Sequence, residues 1–111
     1  MARTRKDYRV DAARHLYALN ANRIYKGKLP AFLYAVGVLD VMIDRKGNVV
    51  STSWSRAPEH APAVMAEIVR TIEKASPLPV PARLGRTVYT DVWLWHKSGK
   101  FQLDSLSEGQ A

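Results

Sequence analysis

Gly37-Val38-Leu39-Asp40-Val41-Met42-Ile43-Asp44-Arg45-Lys46-Gly47-Asn48-Val49 is the stretch on which the fold turns. Strand alternation sends successive side chains to opposite faces of a sheet. From Tyr34 to Ile43, one set is Ala35, Gly37, Leu39, Val41 and Ile43, all apolar or small. The other is Tyr34, Val36, Val38, Asp40 and Met42. The first set is expected on the core, with Gly37 leaving room for a helix to approach. Asp44 to Asn48 reads as a hairpin turn with Gly47 at its left-handed position, and Val49 to Trp54 as the returning strand.

Downstream, Pro58 and Pro62 punctuate the entry to a helix, with Pro62 suited to its first turn. Ala61, Val64, Met65, Ile68, Ile72 and Ala75 share one side of it, and Glu67, Arg70, Glu73 and Lys74 the other. Pro77, Pro79 and Pro81 end that helix in a stiff, extended connection. Val88 to Trp95 predicts a third strand, with Val88, Thr90, Val92 and Leu94 alternating against Tyr89, Asp91, Trp93 and Trp95. Upstream, Val10 to Tyr25 predicts a helix that buries Val10, Ala13, Leu16, Tyr17, Asn20, Ala21 and Ile24 and stops at Gly27 and Pro30. Beyond a turn at 97–100, Phe101, Leu103 and Leu106 are read as a short closing strand or an ordered tail. The expected architecture is α+β in two layers: a three-stranded antiparallel sheet with two helices on one face. Residues 1–9 are read as a basic flexible leader, 10–96 as the domain and 97–111 as a C-terminal extension.

The chain has 111 residues, 47% of them hydrophobic and 24% charged, which suits one core and not two. It contains no cysteine, so disulfides and cysteine-rich zinc sites are excluded. The longest apolar run, Leu29 to Leu39, is too short for a bilayer span, which needs about 20 residues. No apolar stretch of signal-peptide length follows the basic N-terminus. Net charge is +7, concentrated in residues 1–28, which carry eight Lys or Arg against two Asp. Such a segment attracts anionic polymers or surfaces.

Catalytic chemistry finds little to use. His15, His60 and His96 show no metal-ligand spacing, and no nucleophile elbow or phosphate-binding glycine loop appears. Asp40 and Asp91 are expected together on the outer sheet face, as cross-strand partners of basic residues. The chain is therefore read as a binding domain, not an enzyme, with no cofactor. By the alternation above, Tyr34, Tyr89, Trp93 and Trp95 fall on the face opposite the helices. An aromatic face of that kind is covered by the C-terminal tail, by a second copy of the chain, or by a partner. Tyr89, Asp91, Trp93 and Trp95 are the candidate partner-binding residues. A single-stranded nucleic-acid surface is the alternative, from the isoelectric point near 10.0 and the aromatics. Against it, the basic residues do not interleave with those aromatics on the strands.

The hairpin quoted at the outset, the amphipathic helix closing in Ala75-Ser76-Pro77-Leu78-Pro79-Val80-Pro81, and the apolar strand Val88 to Leu94 follow in an order that resembles the C-terminal domain of TonB-type energy transducers, itself similar to that of TolA. The resemblance covers about Leu29 to Leu94. Ser53-Trp54-Ser55-Arg56-Ala57 stands where that family has Ser-Ser-Gly, and Ala61-Pro62 replaces the Leu-Asp pair that opens its helix. The resemblance implies a periplasmic domain that grips an extended segment of an outer-membrane receptor, or of another envelope protein, by strand addition at the edge of the third strand. The membrane anchor and proline-rich spacer of such transducers have no counterpart here, so any membrane attachment would come from a segment outside this chain.

Overall fold

The structure, a computed structural model, describes residues 4–109. It is an α+β domain of two α-helices and a four-stranded antiparallel sheet in the order β2-β1-β3-β4. The strands are β1 (Ala35–Ile43), β2 (Val49–Arg56), β3 (Thr87–Trp95) and β4 (Phe101–Leu103), and the helices are α1 (Arg5–Leu19) and α2 (Pro62–Lys74). Two short 3-10 turns, Ala21–Arg23 and Asp104–Leu106, follow α1 and β4.

The hairpin forms as its sequence predicts. Asp44 and Asn48 close the turn, with the Asn48 carbonyl accepting from the Asp44 N–H at 3.0 Å. The Asp44 carboxylate accepts from the N–H groups of Lys46 and Asn48, each at 2.9 Å. Those bonds, that from Asn48 above all, hold its pKa below the usual carboxylate value. Gly47 sits at φ +89°, and a Cβ there would lie 2.1 Å from the Leu78 carbonyl oxygen. The proline-spaced segment after α2 crosses directly over the turn, with the Leu78 N–H donating to the Gly47 carbonyl at 2.8 Å. Gly47 is thus required twice, for its φ and for the crossing.

Helix α2 begins with Pro62 in its first turn and buries Ile68, Thr71 and Ile72. Its other side carries Glu67, which is ion-paired to Arg70 and, at 3.1 Å, to Arg23. Helix α1 departs from expectation at both ends. It starts at Arg5, where the Thr4 hydroxyl caps the Asp7 N–H at 3.0 Å, and it stops at Leu19. Asn20 ends it by donating from both its backbone and its side chain to the Leu16 carbonyl. The buried stripe is Tyr8, Ala12, Ala13 and Leu16, because two adjacent alanines let the helix sit close on the sheet beside one large ring. Residues 5–9 are therefore not a leader: Tyr8 is 1% exposed. Residues 1–3 lie outside the described residues.

Four strands replace the three expected. The coda Phe101–Leu103 pairs with β3, setting Trp93 opposite Leu103 and Trp95 opposite Phe101. Phe101 and Leu103 are fully buried, so residues 101–103 of the supposed extension belong to the core.

Candidate functional site

The sequence-predicted site residues come together, but inside the molecule. In the β1–β3 ladder Ala35 faces Trp95, Gly37 faces Trp93, Leu39 faces Asp91 and Val41 faces Tyr89. Residues paired across a ladder share a face. The face of β1 that looks inward therefore carries the Tyr89, Asp91, Trp93 and Trp95 set in with it. All four are buried, and the expectation of an exposed aromatic anchor is overturned. The set expected in the core, Val88, Thr90, Val92 and Leu94, lies on the outer face instead. Tyr89 meets Tyr8 edge-to-face at 6.4 Å. Phe101 stacks on Trp95 at 5.3 Å and lies 5.0 Å from Trp93. The room beside Gly37 holds no helix. A Cβ there would meet the Trp54 ring at 2.7 Å and Pro58 at 2.9 Å.

Asp91 is a polar node within that core. Its carboxylate accepts from Arg9 Nη2 at 3.0 Å, Tyr89 Oη at 2.7 Å, the Val92 N–H at 2.9 Å, the Ser105 N–H at 3.2 Å and Ser105 Oγ at 2.5 Å. Burial, and then the Asp91 charge beside it, pushes the Tyr89 phenol well above its ordinary pKa. The node ties α1, β3 and the C-terminal turn together. Asp40, expected on the same face as Asp91, is on the opposite one, bonded to Thr90 Oγ1 at 2.6 Å and to Ser55. Asp91→Ala is expected to cost about 3 kcal/mol, at the low end for a broken buried pair because Arg9 is partly solvated. Denaturant unfolding checks this, and a loss below about 1 kcal/mol would show that Asp91 does not tie these elements together.

The same node closes most of the third-strand edge. β4 covers Trp93–Trp95. Before it, Arg9 Nε donates to the Thr90 carbonyl at 2.9 Å, and the Val92 N–H is taken by Asp91. A strand added there would have to displace both a ladder and a buried ion pair.

The other edge is open. β2 lies at the border of the sheet. Its eight residues contain no proline and no acid, and their only cation is the terminal Arg56. Ser51 to Trp54 pair regularly with Met42 to Leu39, between two register shifts. Among the described residues, the one hydrogen bond that the β2 backbone makes outside its ladder runs from the Val49 N–H to Ser76 Oγ at 3.1 Å. Natural sheets usually blunt such an edge with lysine, proline or a covering segment. Here it borders a shallow groove of about 270 Å³ lined by Val49, Val50, Ser51, Thr52, Glu73 and Ser76, so that the C-terminal end of α2 and Ser76 just beyond it form the far side. Trp54, half-buried against the core, holds the strand in place. In the sequence the one trace of this edge is the uncharged run from Val49 to Ser55, which marks a strand and leaves its place in the sheet open.

The histidines are engaged locally and apart: His15 Nε2 with the Ala75 carbonyl, His60 Nε2 with the Tyr34 carbonyl, and His96 Nδ1 with Ser98. Among the described residues no group of three or more metal-ligating side chains converges, and no helix is long and apolar enough to cross a membrane. Comparison with protein-family models, with curated proteins and with solved structures found no match.

Proposed function

We propose that this chain is a protein-recognition domain, without catalytic chemistry or a cofactor, that receives an extended segment of a partner by strand addition on β2. The observation that carries this reading is the unblocked β2 edge lying beside the α2 wall. An incoming segment would bond to the outward backbone groups of β2, each bond adding about 0.5–1.5 kcal/mol, while its side chains alternate into the groove. Among the described residues, Glu73 is the groove's only charged lining residue, so a lysine or arginine in the segment is favoured. The resemblance to TonB-type domains supports a periplasmic setting and an outer-membrane receptor or another envelope protein as the source of that segment. The same mode is retained, with the strand moved from the third to the second.

One observation favours a second placement. β4 is only three residues long, and a partner segment exchanging with it would reach β3 at Trp93–Trp95. The nucleic-acid alternative loses its stacking surface, since Tyr89, Trp93 and Trp95 are buried. Homodimerisation through the aromatic face loses its surface for the same reason.

Proline separates the placements. Ser51→Pro and Thr52→Pro bracket the alternation of β2, so one removes a ladder donor and the other an outward donor. The variant that keeps its melting temperature is expected to bind synthetic peptides from periplasm-facing receptor segments at least about tenfold more weakly, as loss of a bond plus a steric block requires. Unchanged peptide affinity in that variant would move the site away from β2.

A further inference from the structure

One end of the sheet carries an apolar tip that the strand-addition reading does not use. Phe32 is 93% exposed. It lies in a short loop fixed at both ends. Leu29 is fully buried and donates its N–H to the Gly109 carbonyl at 2.8 Å, and the Tyr34 N–H donates to the Trp95 carbonyl at 3.0 Å. His60 further clamps the Tyr34 carbonyl at 2.7 Å and meets the Tyr34 ring edge-on at 5.8 Å. The phenyl group is therefore presented on a built loop, not left on a frayed end. Beside it, a shallow depression is lined by Pro30, Phe32, Leu33, Tyr34, His96 and Lys97.

The charge around this tip is cationic. β1 starts here and β3 ends here, and the turn at 97–100 joins β3 to β4. The Tyr25 ring lies tilted against His96 at 4.8 Å, which brings the Lys26 to Lys28 segment to the same end. Lys26, Lys28, Lys97 and Lys100 are all exposed, and none is ion-paired among the described residues. Among the described residues, the carboxylates at this end are Glu59, next to His60, and Glu108, which accepts from the Gly27 N–H at 3.0 Å.

We propose that this end docks on an anionic lipid surface, with Phe32 entering the interface and the four lysines lying over the headgroups. A flat protein partner would leave a protruding ring among cations poorly matched. A bilayer accepts both, because its acyl boundary takes the ring and its headgroups take the charge. Held this way, the domain leaves the β2 edge at its side free for an extended segment.

Flotation of the chain with phosphatidylglycerol–phosphatidylcholine vesicles tests this, with phosphatidylcholine alone as reference. Binding is expected only to the anionic vesicles and is expected to weaken with salt. Phe32→Ser should weaken it by about tenfold with an unchanged melting temperature, since the ring makes little contact with the fold. Lys97→Glu with Lys100→Glu should nearly abolish it. Arg45→Glu with Lys46→Glu, the same charge change at the opposite end, should leave most of it. Three results would overturn the proposal: no binding to anionic vesicles, equal loss from both charge reversals, or indifference to Phe32→Ser. Capture by a polyglutamate peptide with the same Phe32 dependence, but not by vesicles, would assign the tip to an acidic protein and equally reject the membrane.

Discussion

Deleting residues 1–9 is expected to abolish or severely weaken cooperative unfolding, although those residues read as a charged leader. The deletion removes Tyr8, which is 1% exposed, packs on Tyr89 and donates its hydroxyl to the Pro79 carbonyl at 2.9 Å. Burial, with the nearby Asp11 charge second, raises its pKa to about 12. Loss of a buried aromatic costs roughly 3–5 kcal/mol. The deletion also takes Arg9 from the Asp91 carboxylate and the Thr4 cap from α1, and the cap alone is worth about 1 kcal/mol. Together these exceed about 5 kcal/mol, a large part of the ~5–15 kcal/mol that holds a domain of this size. Thermal and urea melts check it. A truncated chain that melts within a few degrees of the full one would show that α1 starts later and that residues 5–9 are loose. Tyr8→Phe separates the ring from the hydroxyl and is expected to cost only about 1 kcal/mol.

Trp93→Ala is expected to destabilise the domain by about 3–5 kcal/mol, the range for truncating a buried aromatic. Trp93 is 1% exposed, stands opposite Gly37 in the ladder and packs against Phe101. Truncation takes the indole away from Phe101 and leaves a cavity in the core. Val88→Ala on the outer face is the control, and its loss should stay within about 1 kcal/mol because Val88 is already 39% exposed. The pair reads the orientation of β3 directly. A mild Trp93 effect with a severe Val88 effect would turn the strand over and restore the aromatic face to solvent.

The hairpin and α2 were legible because their signals are local. Gly47 announces a turn, and Ile68 and Ile72 lie one helical turn apart on the face opposite Glu73 and Lys74. The orientation of β3 was not legible, for a physical reason. Alternation says which residues share a face, but both sets of β3 are largely apolar, so the helix-facing set is fixed only by pairing with β1. Asp91 made the inward set look like the outer one. Its burial depends on Arg9, 82 residues away, which no local pattern reveals. The burial of residues 5–9 is hidden in the sequence for a similar reason. Arg5 and Lys6 are exposed on a helix whose other side carries Tyr8, and charge count hides that division. β4 depends on the two tryptophans that Phe101 packs against, so it too is a tertiary product. The open β2 edge is likewise a tertiary product: the uncharged run from Val49 to Ser55 marks a strand, and only the pairing order puts it at the border of the sheet.

The most direct test of strand addition on β2 follows backbone amides by NMR while a receptor-derived peptide is titrated into the labelled domain. The largest shifts, together with new protection from hydrogen exchange, are expected within Val50–Arg56 and along the α2 wall near Glu73, with Thr87–Trp95 little changed. Protection that instead appears along β3 while the amides of Phe101–Leu103 lose theirs would contradict the account and place the partner where β4 now lies.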